Sequence, residues 1–171
     1  MGKHIIESLL FPLVDYCSLV FCDLSEELNT KLQRVMNSGI CYVFGIRKRE
    51  HISPFRVALE WLTAKGRRNY FAATMLYRLF EKNSKMPKYL RVWYIKNDSS
   101  RPTRGKRPPL KVPSFSKDFL ERSFYVKTSY LWNSLPLQLR NSTSLFSFKK
   151  HAYSYFLSLE GGHGPMLQSH F

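Results

Sequence analysis

Apolar positions along this chain recur mostly at three- and four-residue steps, the period of helices packed on one side. The opening stretch, Met1 to Cys22, contains LLFPLVDYCSLVFC and predicts a buried helix, bent or interrupted near Pro12. Asp23 or Ser25 can cap a second helix, with Glu26 and Glu27 in its first turn, where the helix dipole favours them. Leu28, Leu32, Val35, Met36, Ile40 and Val43 form its apolar face, and Gly45 is its stop. Ser53-Pro54 opens a short helix with Phe55, Ala58, Leu59 and Leu62 on its apolar side. Gly66 then breaks the chain. Phe71, Ala72, Met75, Leu76, Leu79 and Phe80 predict a further amphipathic helix from about Arg67 to Lys82, ended by Asn83 and Pro87.

After Trp93 the pattern changes. Ile95 to Pro113 holds four prolines, a glycine and six basic residues, with Leu110 and Val112 its only apolar residues after Ile95. Such a segment forms no core and predicts an exposed, extended connector. Arg122 to Thr128 alternates as one short strand does, and Ser129 to Leu135 reads as a helical turn closed by Pro136. Ser144 caps a last helix bearing Phe148, Ala152, Tyr155, Phe156 and Leu159, and Gly161-Gly162 ends it. The expected fold is mainly α, with one or two short strands. It comprises a helical unit over 1–94, a basic Pro-rich linker over 95–113, a small α-rich C-terminal unit over 114–159 and a frayed tail over 160–171.

Charge adds a partner to this picture. The 171 residues carry 27 Lys and Arg against 12 Asp and Glu, a net charge of +15. Residues 1–87 hold thirteen basic and eight acidic residues, whereas 88–150 hold fourteen and three. Solubility alone does not call for so uneven a distribution, which points to a polyanion, RNA or DNA before membrane. The opening apolar run is too short to span a bilayer, contains Pro12 and Asp15, and precedes no signal cleavage site. Three cysteines, Cys17, Cys22 and Cys41, make no disulfide framework and no zinc-ligand spacing. Cys17 and Cys41 lie in apolar runs and read as buried thiols. These features predict an intracellular protein of the cytoplasm or nucleus, neither secreted nor membrane-bound.

Catalytic patterns are missing from the sequence. There is no GxxxxGK[ST] phosphate loop, no GxSxG elbow and no Asp-Asp pair. Glu26-Glu27 is explained by the helix dipole. His51, beside Ser53-Pro54, reads first as a local cap or loop contact and second as a ligand or base. No catalytic residue, metal ligand or cofactor is therefore expected in this chain. Binding chemistry is easier to place. Arg101, Arg104, Lys106, Arg107 and Lys111 supply phosphate contacts from the linker, and Arg47, Lys48 and Arg49 supply a second patch. Tyr89, Trp93 and Tyr94 interleave with Lys88 and Arg91, a mix suited to stacking on unpaired bases. Tyr89, Leu90 and Trp93 also have helical spacing, and for Trp93 core packing is the preferred reading.

The segment LWNSLPLQLRNSTSLFSFKKHAYSYFL reads as a small self-packing cap. Trp132, Leu135 and Leu139 anchor it, Asn133 and Ser134 bond local backbone, and Pro136 turns the chain. Phe148 and Phe156 then bring a helix back over Trp132. The same segment resembles the C-terminal end of reverse transcriptases of jockey-like non-LTR retrotransposons. The matching pieces are Leu131 to Pro136, Leu139-Arg140, Ser142 to Ser144 and Phe148-Lys149. Upstream, Leu9 to Phe21, Leu32-Gln33-Arg34-Val35 with Asn37, His51-Ile52-Ser53-Pro54 with Trp61-Leu62, and Pro87-Lys88-Tyr89-Leu90 are similar in order and spacing over about residues 5–157. The resemblance implies the post-catalytic region of an RNA-directed DNA polymerase, whose palm, paired aspartates and Mg²⁺ lie N-terminal to it. Val14-Asp15-Tyr16 is not that metal motif. The chain is thus expected to bind RNA or DNA beside the polymerase core and not to polymerise by itself. Two alternatives stand beside this: a structural or interaction module docking on the parent polymerase, and a nonfunctional relic.

Overall fold

The structure, a computed structural model, describes residues 2–16, 18–47, 50–81, 84–97, 109–112 and 118–161. It is mainly α. Its elements are α1 (Gly2–Asp15), a 3₁₀ turn (Val20–Asp23), α2 (Glu26–Phe44), α3 (Ser53–Ala58), α4 (Ala64–Phe80), α5 (Lys88–Val92), α6 (Asp118–Glu121), α7 (Phe124–Ser134), α8 (Leu137–Arg140) and α9 (Leu145–Glu160). Among the described residues there is no strand, only an isolated antiparallel bridge between Lys96 and Leu110. No helix among them is long and apolar enough to cross a membrane.

Two compact units make up the chain, Met1–Tyr70 with Tyr153–Phe171, and Phe71–Ala152. This division differs from the expected borders at 94/95 and 113/114. The reason is in the last helix. Phe148 and Ala152 are buried in the second unit, whereas Tyr153 and Glu160 are bonded within the first.

The first unit packs Phe11 and Val14 of α1 with Met36 and Ile40 of α2, and with Leu59, Trp61 and Ala64. Trp61 meets the Phe11 ring edge-on at 4.7 Å, and its Nε1 donates to Glu7 Oε1 at 3.0 Å, so the indole is buried with its one polar atom satisfied. α1 continues through Pro12 to Asp15, so of the bend or interruption expected there the interruption does not occur. The proline ring is exposed, and the ladder resumes with the Tyr16 N–H on the Pro12 C=O at 2.9 Å. Nor is α1 buried all round, since Ile5, Leu9 and Leu13 face solvent.

α2 follows its local signals. Ser25 Oγ accepts from the Leu28 N–H, and Gly45 closes the helix at φ 66°, a left-handed conformation that costs glycine least. Asp23 lies in the preceding 3₁₀ turn. Cys41 is half-buried and unbridged; the predicted burial of Cys17 concerns a residue outside those described. In α3, Ser53 is the first helical residue, not the cap; Ile52 holds that position without a side-chain bond. The helix ends at Ala58, so Leu62 is buried beyond it, not along its face.

The start of α4 corrects the sequence reading most clearly. Gly66 does not break the chain; it lies in the first turn. Thr63 Oγ1 accepts from the Gly66 N–H at 3.0 Å, the pattern of a cap, and Gln33 Oε1 accepts from the Ala64 N–H at 2.8 Å. Glu160 closes the arrangement. Its carboxylate accepts from the Thr63 N–H at 2.9 Å, from Thr63 Oγ1, and from Arg56 Nη1 at 2.7 Å. A negative group at a helix N-terminus is favoured by the unpaired N–H groups there. Glu160, expected at the start of a frayed tail, is thus a fixed part of the unit; residues 162–171 are not among those described. Nearby, Asp15 accepts two bonds from Arg67, whose guanidinium lies 4.0 Å from the Phe11 ring centroid. Tyr153 Oη donates to the Glu60 C=O at 2.8 Å, and burial pushes this phenol's pKa up.

The second unit is built on aromatic contacts. Tyr77 stacks on Phe148 at 4.4 Å and donates its hydroxyl to the Ser142 C=O at 2.7 Å. Phe80 and Phe148 flank Trp132, with Leu135 and Leu139 buried beside α7 and α8. The self-packing cap is present in this form, except that Phe156 belongs to the first unit. Arg122 to Thr128 is not a strand. Ser123 Oγ caps α7 by accepting from the Val126 N–H, and the buried positions Val126, Ser129 and Trp132 repeat every three residues. Val126 and Thr128 lie on nearly opposite faces of this helix, and both are buried because it is covered on more than one side, which over seven residues imitates the alternation of a strand.

Gly66 generates a prediction with an inverted sign. Alanine for glycine in a helix ordinarily stabilises by about 1 kcal/mol. Here a Cβ would stand 2.1 Å from Glu160 Oε1. Moving the carboxylate breaks bonds worth about 1–3 kcal/mol. Gly66→Ala therefore lowers the urea midpoint of the wild-type protein and raises it in a Glu160→Ala background. Equal effects in both backgrounds would remove the proposed clasp.

Candidate nucleic-acid interface

Charge segregates with the compact units. Phe71–Ala152 carries seventeen Lys and Arg against four Asp and Glu; the first unit carries ten against eight. The candidate site is therefore sought in the second unit, and α5 gives it a shape. Pro87 stands before the first turn of α5, and Trp93 ends it in helical conformation. The next residue turns inward: Tyr94 is 7% exposed, its hydroxyl 2.7 Å from Thr128 Oγ1 and its ring edge-on to Phe80 and Tyr125. With Tyr94 anchored, Tyr89 and Trp93 remain outside, 66% and 64% exposed. They are four residues apart and share one helical face. The sequence reading preferred Trp93 in the core; the structure buries Tyr94 instead. Trp93 touches the edge of Tyr125 at 6.4 Å, and Lys88 and Arg91 are exposed on the same helix.

Beyond α5 the chain enters the basic segment and is pinned at once. The Asn97 N–H donates to the Pro109 C=O at 3.0 Å, and the Lys111 N–H to the Ile95 C=O at 2.8 Å. The outgoing and returning strands of chain therefore meet at this bridge. The returning one is held from its other side by Asn133. Its Oδ1 accepts from the Leu110 N–H at 2.9 Å, and its Nδ2 donates to the Leu110 C=O at 3.0 Å. A side-chain amide here plays the part of a neighbouring strand. Leu110 is buried, so the expectation of a connector without core contacts fails at this residue. Asn133, expected to bond locally, reaches across 23 residues; Ser134 does bond locally, donating to the Leu131 C=O at 2.8 Å.

Of the predicted phosphate contacts, Lys111 is exposed at this bridge, with Lys96, also exposed, beside its partner position. Lys96 Nζ lies 5.8 Å from the Phe80 ring centroid. Arg101, Arg104, Lys106 and Arg107 lie outside the described residues, between the two pinned ends. Arg47 is exposed in the first unit, where its N–H donates to Glu50 Oε1; Lys48 and Arg49 lie outside the described residues. The two predicted patches thus belong to different units. Arg140 is half-buried, donates to the Leu135 C=O at 3.1 Å, and has its pKa lowered by that burial.

Among the described residues no three of His, Cys, Asp and Glu gather where they could hold a metal ion. Asp15 is committed to Arg67 and Glu160 to Arg56. Glu27, in the first turn of α2, pairs with Lys31 at 2.6 Å. His51 is exposed. No protein-family profile, curated protein or solved structure matches this chain.

Asn133 can be tested directly. Asn133→Asp keeps an acceptor for the Leu110 N–H but sets a carboxylate against the Leu110 C=O. It should cost about 2 kcal/mol and expose the bridge to proteolysis at low protease concentration. Asn133→Ala should cost less, because it removes the bonds without adding repulsion. An aspartate variant as stable and protease-resistant as the parent would show that Leu110 is not held this way.

Proposed function

We propose that this chain is a nucleic-acid-binding module that works beside the polymerase core of a non-LTR retrotransposon reverse transcriptase. The observation that carries the binding half of this reading is the concentration of positive charge in Phe71–Ala152, seventeen basic residues against four acidic. The resemblance over residues 5–157 supplies the other half. In this reading the module holds template RNA or target DNA by its phosphates, without reading sequence. The polymerisation chemistry and its Mg²⁺ belong to the core. Lys111 and the segment carrying Arg101, Arg104, Lys106 and Arg107 make the principal contacts, with Arg47, Lys48 and Arg49 as a second contact.

Binding of this kind is driven by counterion release and so depends steeply on salt. With roughly six to eight phosphates engaged, log affinity for a single strand falls with log salt at a slope of about −4 to −6. Affinity should be submicromolar at low salt. Replacing Arg101, Arg104, Lys106 and Arg107 together by glutamine should make the slope shallower by about 3. An affinity flat between low and high salt would falsify the electrostatic account.

A second reading rests on a different surface. Ile5, Leu9, Leu13 and Tyr16 lie exposed at three- and four-residue spacing along α1 and just past its end. Such a stripe suits a helix that docks on the polymerase core, the basic charge then being incidental. The isolated chain should in that case associate as its concentration rises, and Leu9→Glu with Leu13→Glu should return it to a monomer by light scattering. A parent chain that is monomeric throughout and binds RNA leaves this reading without support.

A further inference from the structure

We propose that the second unit takes unpaired nucleic acid in preference to duplex, by stacking bases on Tyr89 and Trp93. This rests on the nucleic-acid reading above and narrows it to one kind of strand. The two rings are exposed on one face of α5 while Tyr94, between α5 and the basic segment, is buried as an anchor. One turn separates the two rings along the helix, about 6 Å and close to two base-stacking steps. Edge contact with Tyr125 fixes the Trp93 ring, and Tyr125 Oη in turn donates to the Lys111 C=O at 3.4 Å. Trp93 is therefore linked through Tyr125 to the bridge at Lys96 and Leu110. Lys88 and Arg91 are exposed on the same helix, and Lys96 and Lys111 are exposed at the bridge.

Strand selection follows from which surfaces each form of nucleic acid offers. Phosphates are present on both, so the lysines and arginines do not discriminate. Base faces are available only where bases are unpaired; in a duplex they are already stacked on one another. An aromatic platform beside a cationic surface thus adds affinity for single strands alone. It does so for any sequence and either sugar, because every base has a face to stack.

The protein carries its own reporter. Of its three tryptophans, Trp61 and Trp132 are buried, at 2% and 6% exposure, and Trp93 is the exposed one. The full chain is titrated with a short oligothymidine, a short oligouridine and a blunt-ended hairpin duplex closed by a non-nucleotide linker at one fixed low salt concentration, following both affinity and indole emission. The single strands should bind tighter than the hairpin by on the order of tenfold and quench the red-shifted, solvent-exposed part of the emission. Trp93→Ala should lose on the order of tenfold in single-strand affinity, with little change for the hairpin. Trp93→Phe should keep that affinity within about threefold and abolish the quenching. Equal binding of single strand and hairpin, with emission unchanged, would overturn the stacking proposal and leave the electrostatic reading standing. No binding to any of the three probes would overturn both.

Discussion

The side-chain amide of Asn133 sets the surface of the second unit. Leu110 sits in a segment dense in proline and positive charge, which by composition has no reason to enter a core. Its N–H and C=O are on the side away from the Lys96 bridge, and burying them without partners would cost several kcal/mol. Asn133 meets both with one amide, and Leu110 becomes buried as a result. On the same stretch the Pro109 C=O accepts from the Asn97 N–H, and the Lys111 C=O accepts from Tyr125 Oη, whose ring meets Trp93 edge-on.

Glu160 does comparable work in the first unit, with an ion in place of an amide. It reaches Thr63 across 97 residues and Arg56 across 104. Both side chains answer the same demand, that backbone N–H or C=O groups removed from water find partners. They differ in what surrounds them. The first unit nearly balances its charges and commits many of its carboxylates to internal partners. The second has few carboxylates to commit, and most of its described lysines and arginines are exposed, where a polyanion can meet them.

Legibility in the sequence followed the range of the interaction. Ser25, Gly45 and Ser144 were readable because a cap or a stop acts within one turn of helix. Gly66 was not, since the reason a glycine stands in that helix is a carboxylate 94 residues further on. Arg122 to Thr128 misled because a helix buried on more than one side hides both Val126 and Thr128 and so imitates a strand's alternation over seven residues. The site was half legible. Charge and aromatic interleaving pointed to the segment from Lys88 to Lys111. Which of Trp93 and Tyr94 turns inward depended on Thr128, whose hydroxyl gives Tyr94 a buried partner and gives an indole none as good. The pinning of Leu110 left no trace that local reading could separate, since Asn133 and Ser134 stand side by side between Trp132 and Leu135 and only the first reaches a distant partner.

The chain order of the first unit has a consequence for biosynthesis. Gly2 to Tyr70 leaves the ribosome well before Tyr153 and Glu160, so the start of α4 and Arg56 wait for their carboxylate while the whole of Phe71–Ala152 is made. The intervening unit is one continuous stretch of chain and is complete before Tyr153 is made. The first unit then completes by closing a loop of that intervening length, at a cost that grows slowly with it. Through this interval the apolar core of α1 and α2 can form, whereas the Thr63 N–H and the Arg56 guanidinium still lack the carboxylate that later answers both.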